Sequence, residues 1–287
     1  MGRRVGVVVN LDKPQAADLA RELCGWLSRR GIEPRLPAEV AGLVGLAGLG
    51  GPVEEWAAGT EFAVVLGGDG TLLQAARRLS PYGCPLLGVN LGRLGFLTEL
   101  EGSDLFGALP EVLAGGFQVE RRMMLEAVVE RTQGAPSRYL ALNDAVVTKG
   151  PFARMVHLEV YVDETPVASY PADGLIVATP TGSTAYSLSA GGPVINPGLD
   201  LLVVTPICPH SFYARSVVVA QEEAVRVKIQ PVHPDTMLTI DGQEGCILAR
   251  GDEVVVRRAS EVTRLLRRPG WSFYRVLRRK LTEAYSE

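Results

Sequence analysis

The chain has 287 residues, of which 47% are hydrophobic and 21% are charged, and its formal net charge is −3. This composition excludes a disordered or fibrous protein, and the slight acidity argues against a nucleic-acid-binding protein, which normally carries a basic face. At roughly 150 residues per domain, the length predicts two domains. The longest uncharged, glycine-rich stretch, residues 41–53, is too short to cross a bilayer, so we expect no membrane partner.

The cysteines and the N-terminal residues predict a cytoplasmic protein. Cys24, Cys84, Cys208 and Cys246 lie far apart and form no C-x-x-C pair, which is typical of reduced, mostly buried cysteines. The apolar run at residues 5–9 is too short for the core of a signal peptide.

The first 115 residues or so alternate between strand and helix patterns. The predicted strands are short apolar runs, typical of strands covered on both faces: residues 5–9, 61–66 and 86–89. The predicted helices are residues 14–30, residues 72–79 and, with Ser103 as its N-cap, a helix that runs to about residue 114. This order predicts an α/β domain with a parallel sheet and right-handed crossovers, which we assign to residues 1–119.

Beyond residue 116 the pattern changes to short strands separated by Gly, Pro and Asp turns, which predicts a β-rich, sandwich-like second domain over residues 120–269. The predicted strands are residues 122–131, 139–148, 156–163, 174–179, 224–230, 237–241 and 253–257. Helical spacing of apolar residues returns at residues 272–284.

Two further stretches are interpreted as structural. Residues 41–51 lack a preceding strand and the spacing of a dinucleotide fingerprint, so we expect a flexible connection there. The run from Arg264 through Arg267 and Arg268 to Lys280 carries no acidic residue, and such a run is most often a solvated helix face.

The segment Gly67-Gly68-Asp69-Gly70-Thr71 follows a predicted strand and leads into a predicted helix. In open α/β sheets ligands bind at the carboxyl ends of strands, where glycines let backbone N–H groups approach phosphate oxygens and a helix N-terminus attracts anions. We therefore predict that Gly67, Gly68, Gly70 and Thr71 bind phosphate or ATP.

Asp69 needs another explanation, because a carboxylate inside an anion-binding loop repels phosphate. It would serve there by accepting a proton from an attacking hydroxyl or by helping to position a metal-bound phosphate. The alternative is a tight turn in which Asp69 bonds to its own backbone.

The other chemically informative segment is residues 173–193, in which a hydrophobic strand ends at Thr179-Pro180. Its hydroxyl side chains are Thr181, Ser183, Thr184, Tyr186, Ser187 and Ser189. No charged residue lies between Asp173 and Asp200, whereas ordinary surface loops do carry charges. Such a segment suits ribose hydroxyls and a heteroaromatic base.

Together the two segments resemble the NAD kinase family, and Gly67–Thr71 alone resembles the wider superfamily that includes diacylglycerol, sphingosine and 6-phosphofructo-kinases. Three further motifs are similar to NAD kinases: Asn90-Leu-Gly-Arg-Leu-Gly-Phe-Leu97, Asn143-Asp144 and Asp241-Gly-Gln243. The resemblance implies phosphorylation of the 2′-hydroxyl of the adenosine ribose of NAD⁺, with ATP as phosphoryl donor and Mg²⁺ or another divalent cation shielding the phosphate charge. It also implies a C-terminal segment, residues 270–287, that packs back on the first domain, and a homodimer or homotetramer.

By the same resemblance Asp69 is the general base. The implied NAD-binding residues are Asp69, Gly70, Asn143, Asp144, Arg154, Asp173, Thr184, Ala185, Tyr186, Ser187, Leu188, Ser189 and Gln243. No residue is assigned as a direct metal ligand. Pro171 stands where some members carry arginine, which leaves open whether NADH is also accepted.

Two alternatives share the same fold. A kinase for a lipid or a sugar is disfavoured by residues 173–193 and by the lack of an apolar signature for a lipid interface. A non-catalytic dinucleotide sensor would be marked by the loss of the aspartate at position 69, and that aspartate is present.

Overall fold

A computed structural model describes residues 2–92, 95–150, 155–211, 214–230 and 236–283. The chain divides into two compact units, one formed by Met1–Arg121 with Val262–Glu287 and the other by Arg122–Glu261. The sequence places these boundaries at residues 119 and 269. In the structure the chain returns to the first unit at Val262 and not at residue 270. The change of unit occurs inside the long strand Glu253–Arg267 and not at a turn. No helix in the described ranges combines the length and the apolarity that a membrane crossing requires.

The first unit contains a parallel sheet with the strand order β5-β4-β1-β2-β3, and β6 pairs with β5. In chain order its elements are β1 (Arg4–Val9), α1 (Ala16–Ser28), β2 (Glu33–Pro37), α2 (Ala38–Leu43), β3 (Gly50–Gly51), α3 (Val53–Trp56), β4 (Phe62–Gly67), α4 (Asp69–Leu79), β5 (Leu86–Asn90), β6 (Leu100–Glu101) and α5 (Leu105–Leu113). Val64 and Leu66 of β4 enter a core shared with α1 and α5, and the intervening Val65 is buried too. The predicted parallel α/β sheet is thus confirmed.

Three local predictions for the first unit are wrong. Part of the expected flexible connection at residues 41–51 is regular, since it includes the end of α2 and the whole of β3. Helix α4 begins at Asp69, with Gly68 as its N-cap, and not at residue 72. Ser103 lies in a 3₁₀ turn and does not cap α5, which begins after Asp104.

The second unit begins within β7 (Gln118–Glu130) and is built from two antiparallel sheets. In chain order its other elements are β8 (Ser137–Ala141), β9 (Asp144–Thr148), β10 (Val156–Val162), β11 (Thr165–Ala172), β12 (Gly174–Ala178), α6 (Tyr186–Ser189), β13 (Leu201–Ile207), β14 (Val217–Ala220), β15 (Val225–Gln230), β16 (Met237–Ile240), β17 (Glu244–Ile247) and β18 (Glu253–Arg267). One sheet has the order β14-β13-β12-β9-β16-β17, and β11-β10-β15-β18 are neighbours in the other. Side chains of both sheets, such as Leu158 and Val177, share one core, as a sandwich requires.

After β18 the chain ends in α7 (Phe273–Glu283), which belongs to the first unit together with the last residues of β18. Leu265 pairs with Leu86 of β5, and Leu266 joins the core of the first unit. The expected return of the C-terminal helix to the first domain is therefore confirmed. The prediction of a solvated helix face at residues 264–282 is wrong for Arg267, which lies in β18 and is buried.

Candidate functional site

The loop after β4 brings a carboxylate to the end of a buried strand. β4 ends at Gly67, Gly68 is the N-cap, and Asp69 is the first residue of α4. A side chain at Gly67 is sterically excluded, because its Cβ would lie 2.2 Å from the Oγ1 atom of Thr71. Glycine at this position lets the first turn of α4 fold directly over the end of the strand, so that the N-terminal end of the helix is placed at the carboxyl edge of the sheet.

The carboxylate of Asp69 is held by three backbone amides from another part of the chain. Phe96 donates to Oδ2 at 2.7 Å, and Leu97 and Thr98 donate to Oδ1 at 3.1 and 3.3 Å. The alternative in which Asp69 bonds only within its own turn is therefore wrong. A carboxylate offers about four acceptor positions, two on each oxygen, so these donors leave one position on Oδ2 for a further hydrogen bond.

Gly95 explains how the carboxylate comes so close to this segment. A Cβ atom at Gly95 would lie 2.0 Å from Oδ1 and 2.2 Å from Cγ of Asp69. Only glycine leaves the space that the carboxylate occupies. In the motif of residues 90–97, Gly95 thus makes room for the carboxylate, and the backbone N–H groups of the residues that follow it bind that carboxylate.

In the second unit, the predicted strand at residues 139–148 is broken into β8 and β9, and Asn143 lies in the turn between them. The break is fixed by the carboxylate of Asp241, which accepts the N–H groups of Leu142, Asn143 and Asp144 at 3.2, 2.7 and 3.2 Å. The N–H group of Asp241 donates in return to the carbonyl of Asp144 at 3.0 Å. These four hydrogen bonds fix the backbone conformation of Asn143 and Asp144 and so orient their side chains.

Asp241 occupies a turn between β16 and β17 that few residues tolerate. Its φ is +48° and that of Gly242 is +66°, and the N–H of Gln243 donates to the carbonyl of Ile240 at 2.9 Å. Two central residues at positive φ are the mark of a type I′ turn, for which Asp-Gly is a preferred sequence. Asp241 belongs to one of the motifs that resemble the family, and the motif alone predicts no role for it, although the Asp-Gly pair predicts the hairpin that presents it.

The side chain of Asp144 is buried beside a second carboxylate. Loss of hydration, and then the charge of Asp241, raise the pKa of Asp144 from an ordinary 3.8 to about 7. Asp144 therefore changes charge near neutral pH, and below that pH it is a hydrogen-bond donor as well as an acceptor.

We expect the free energy of unfolding to decrease, relative to that of an Asp144→Asn variant, as the pH rises from about 4 to about 7, because Asp144 keeps its proton over this interval in the folded protein and loses it in the unfolded protein. The full difference amounts to about 4 kcal/mol, and an Asp144→Asn variant lacks it. Urea unfolding of both proteins at several pH values measures the effect. Stability profiles that run parallel from pH 4 to 8 would contradict the raised pKa.

A cavity of about 420 Å³ in the second unit collects several of the predicted residues. It is lined by Asn143, Asp144, Ala185 and Tyr186, all expected in the site, and by Val146, Thr148, Thr239, Asp241 and Gly242, which were not. Tyr186 is 45% exposed, unlike most aromatic residues in a core. The lining thus combines an amide, carboxylates and hydroxyls with an accessible aromatic face.

The neighbouring hydroxyl-rich segment forms one wall of the Asn143 turn. Thr179 donates through Oγ1 to the carbonyl of Leu142 at 2.6 Å and through its N–H to that of Asn143 at 2.8 Å. A Cβ atom at Gly182 would lie 2.1 Å from the Asn143 carbonyl oxygen, so this position requires glycine. Together with Asp241, these contacts hold the turn from two sides.

Other predicted residues make contacts within the protein. Thr184 donates to the carbonyl of Thr181 at 3.2 Å, and the buried hydroxyl of Ser187 lies 3.1 Å from that of Thr205. Asp173 forms an ion pair with Lys149 at 2.8 Å. The remaining predicted residues are Leu188 and Ser189 in α6, Gln243 in the turn after β16, and Arg154, which lies outside the described residues.

Comparison with known proteins finds family models that match parts of both units. The family described as "ATP-NAD kinase N-terminal domain" matches residues 52–117, and "ATP-NAD kinase C-terminal domain" matches residues 142–268. An NAD kinase of Symbiobacterium thermophilum is 50% identical over 97% of this chain and 99% of its own length. One of Moorella thermoacetica is 47% identical over 99% of this chain and 91% of its own.

Two solved structures are similar as well. Yeast NADH kinase complexed with NADH gives a TM-score of 0.83 at 26% identity, over 92% of this chain and 83% of its own. An NAD kinase from Archaeoglobus fulgidus in complex with ATP gives a TM-score of 0.73 at 27% identity, over 93% of this chain and 94% of its own. With relatives of this identity along nearly its entire length, the chain belongs to the NAD kinase family.

Proposed function

We propose that this chain transfers the γ-phosphoryl group of ATP to the 2′-hydroxyl of the adenosine ribose of NAD⁺ and forms NADP⁺ and ADP. Family membership supports the reaction, since relatives named NAD kinase are 41–50% identical to the chain. The observation that carries the mechanism is the carboxylate of Asp69, fixed by three amides with one acceptor position left on Oδ2.

In this mechanism Asp69 accepts the proton of the 2′-hydroxyl through Oδ2. The hydroxyl oxygen forms a bond to the γ-phosphorus while the bond from that phosphorus to the β–γ bridging oxygen breaks, and ADP leaves with the electron pair. Three amides on the carboxylate keep it from rotating, so the base is oriented before the substrate binds. A general base placed in this way contributes roughly 10²- to 10⁴-fold to the rate.

The loop around Asp69 is proposed to hold the phosphates. Gly67, Gly68, Gly70 and Thr71 lie at the end of β4 and in the first turn of α4, where a helix N-terminus favours negative charge. The attraction of this helix end offsets the repulsion between the phosphates and Asp69.

The cavity in the second unit is proposed to bind NAD⁺. The amide of Asn143 both donates and accepts hydrogen bonds, and the carboxyl of Asp144 accepts them from ribose hydroxyls. The exposed ring of Tyr186 offers a face on which a base packs. The other residues proposed to contribute are Gly70, Arg154, Asp173, Thr184, Ala185, Ser187, Leu188, Ser189 and Gln243.

Mg²⁺, or another divalent cation, is proposed to accompany ATP. Magnesium usually binds substrate phosphates together with one or two carboxylates, and there it neutralises phosphate charge. Among the described residues no three His, Cys, Asp or Glu side chains gather to hold a metal ion. The steps above rely only on protein groups.

The reaction is tested by incubating the purified protein with ATP, MgCl₂ and NAD⁺ and detecting NADP⁺ with an NADP-specific dehydrogenase. We expect one NADP⁺ for each ADP formed. A parallel reaction with NADH tests whether the reduced dinucleotide is also accepted. Saturable binding of NAD⁺ without formation of NADP⁺ would favour a dinucleotide sensor and contradict the proposal.

Replacing Tyr186 by alanine is expected to raise the Kd for NAD⁺ about tenfold, because stacking of an aromatic ring on a base contributes about 1–3 kcal/mol. Tyr186→Phe, which keeps the ring, is the matched control and should bind nearly as the unmodified protein does. Titration calorimetry measures both. Equal affinities in Tyr186→Ala and the unmodified protein would remove this ring from the site.

We further propose that the protein acts in the cytoplasm as a homodimer or homotetramer. The four cysteines are free thiols, which supports a reducing compartment; Cys24 and Cys84 are buried and Cys208 is exposed. The family resemblance supports the assembly. Sedimentation equilibrium gives the mass of the particle, and a monomer at assay concentrations would contradict this part of the proposal.

A further inference from the structure

The segment of residues 96–98 is held from two directions by opposite charges within the first unit. Its three N–H groups donate to the carboxylate of Asp69. Its carbonyl groups face the guanidinium of Arg267, which donates to Leu97 at 3.0 Å and lies 3.4 Å from the carbonyl oxygen of Thr98. The Asp69 carboxylate and the Arg267 guanidinium therefore act on the same peptide groups.

Arg267 is itself rigidly placed. It is only 2% exposed, its Nε donates to Glu120 at 2.9 Å, and its Nη1 lies 3.2 Å from Glu99. Glu99 also accepts the N–H of Arg268 at 3.1 Å, and the ring of Trp271 lies 4.4 Å from the guanidinium carbon. Two carboxylates, backbone carbonyls and an aromatic ring thus surround a group that stays charged at every physiological pH.

We infer that Arg267 is a positioning residue for Asp69: it fixes the peptide groups of residues 96–98 so that their N–H groups orient the carboxylate with Oδ2 open to the substrate hydroxyl. This role rests on the proposed function, in which Asp69 is the base. Arg267 touches no reacting atom and acts only through residues 96–98.

The chemistry of the side chain favours this role over a purely stabilising one. A buried ion pair is weak grounds for stability, because desolvation of the charges cancels much of their attraction. A planar guanidinium, in contrast, directs several N–H groups at fixed angles and so orders acceptors on different sides of it. An ammonium group has three N–H donors around a single nitrogen, so it would not reach both carboxylates and the carbonyls of residues 96–98 together.

The test is Arg267→Lys, which keeps the positive charge between Glu99 and Glu120. We expect kcat to fall roughly ten- to hundredfold, the usual effect of a small displacement of a catalytic group, with the KM for NAD⁺ changed less than about twofold. We also expect faster hydrogen exchange at the amides of residues 96–98, measured by NMR. A loss of fold alone would not produce this combination.

Arg264→Lys is the matched control. Arg264 lies on the same strand, and it too donates to a backbone carbonyl, but to that of Gly83 at 3.1 Å and not to one of residues 96–98. We expect its kcat and its amide exchange to match the unmodified protein. If Arg267→Lys proves too unstable to study, Trp271→Leu frees the guanidinium on its aromatic side and should change both quantities in the same direction to a smaller extent.

Either of two results would overturn the inference: unchanged exchange at residues 96–98 in Arg267→Lys, or faster exchange with unchanged kcat. Failure of the proposed function is recognised separately, because the unmodified protein would then form no NADP⁺. In that case the amide exchange alone decides whether Arg267 holds the segment.

Discussion

Asp69→Asn is expected to lower kcat roughly 10²- to 10⁴-fold, because the amide does not accept the proton of the 2′-hydroxyl. The Kd for NAD⁺ should change less than about threefold, since the base acts mainly in the transition state. Steady-state kinetics and titration calorimetry on the same preparation give both values. Turnover near that of the unmodified protein would show that Asp69 is not the base.

The same substitution also changes a structural contact, and this effect can be separated from the loss of the base. The asparagine oxygen still accepts from Leu97 and Thr98, but its NH₂ group faces the N–H of Phe96, which donates at 2.7 Å in the structure. Loss of this hydrogen bond should cost about 1–2 kcal/mol in the free energy of unfolding, measured with urea. A much larger destabilisation would make the kinetic result ambiguous.

Gly95→Ala displaces the carboxylate of Asp69 and leaves its chemistry intact. The new methyl group would lie 2.0 Å from Oδ1 of Asp69, so the carboxylate must rotate away from the amides of residues 96–98. Because a side chain and not the backbone has to move, we expect a folded protein that is destabilised by about 1–3 kcal/mol. The kcat should fall roughly a hundredfold.

Gly107→Ala is the control for this substitution. Gly107 lies in α5, and a Cβ atom there would meet nothing within 4 Å. We expect full activity and a stability unchanged or raised by up to about 1 kcal/mol, as for alanine in place of glycine in a helix. Full activity in Gly95→Ala would mean that the amides of residues 96–98 do not orient the base.

Much of the first unit could be predicted because its strands are continuous apolar runs buried on both faces. β1, β4 and β5 carry this signal, and glycines mark the turn into α4. β2 was missed because its sequence, Glu-Pro-Arg-Leu-Pro, has two prolines and two charges, and only the sheet around it buries Leu36. The local sequence does not indicate the strands that pair with β2 on either side.

The turn at Asn143 shows what a local pattern does not contain. Residues 139–148 have the composition of one strand, yet the carboxylate of Asp241 binds the backbone N–H groups at the break. These partners are 97–99 residues apart in the chain, so only the folded structure brings them together. The residue types of the site were recognised from the sequence, and the group that orders their backbone was not.

Arg267 illustrates the same limitation with charge. A run of arginines without acids predicts a solvated surface, whereas Glu99 and Glu120, distant in the chain, compensate Arg267 in the interior. In the hydroxyl-rich segment, Thr184 and Ser187 have hydrogen-bond partners within the protein that the local composition does not indicate. A sequence identifies the groups available for hydrogen bonds, and the fold decides which of them face a ligand.

A single-turnover experiment tests most directly whether Asp69 is the general base. Enzyme in excess over NAD⁺ is mixed rapidly with ATP and MgCl₂, the reaction is quenched, and NADP⁺ is measured for the unmodified protein and for Asp69→Asn. We expect complete conversion by the unmodified protein and a phosphoryl-transfer step at least about 10²-fold slower in the variant, with NAD⁺ bound equally by both. Equal rates of NADP⁺ formation in the two proteins would contradict this expectation.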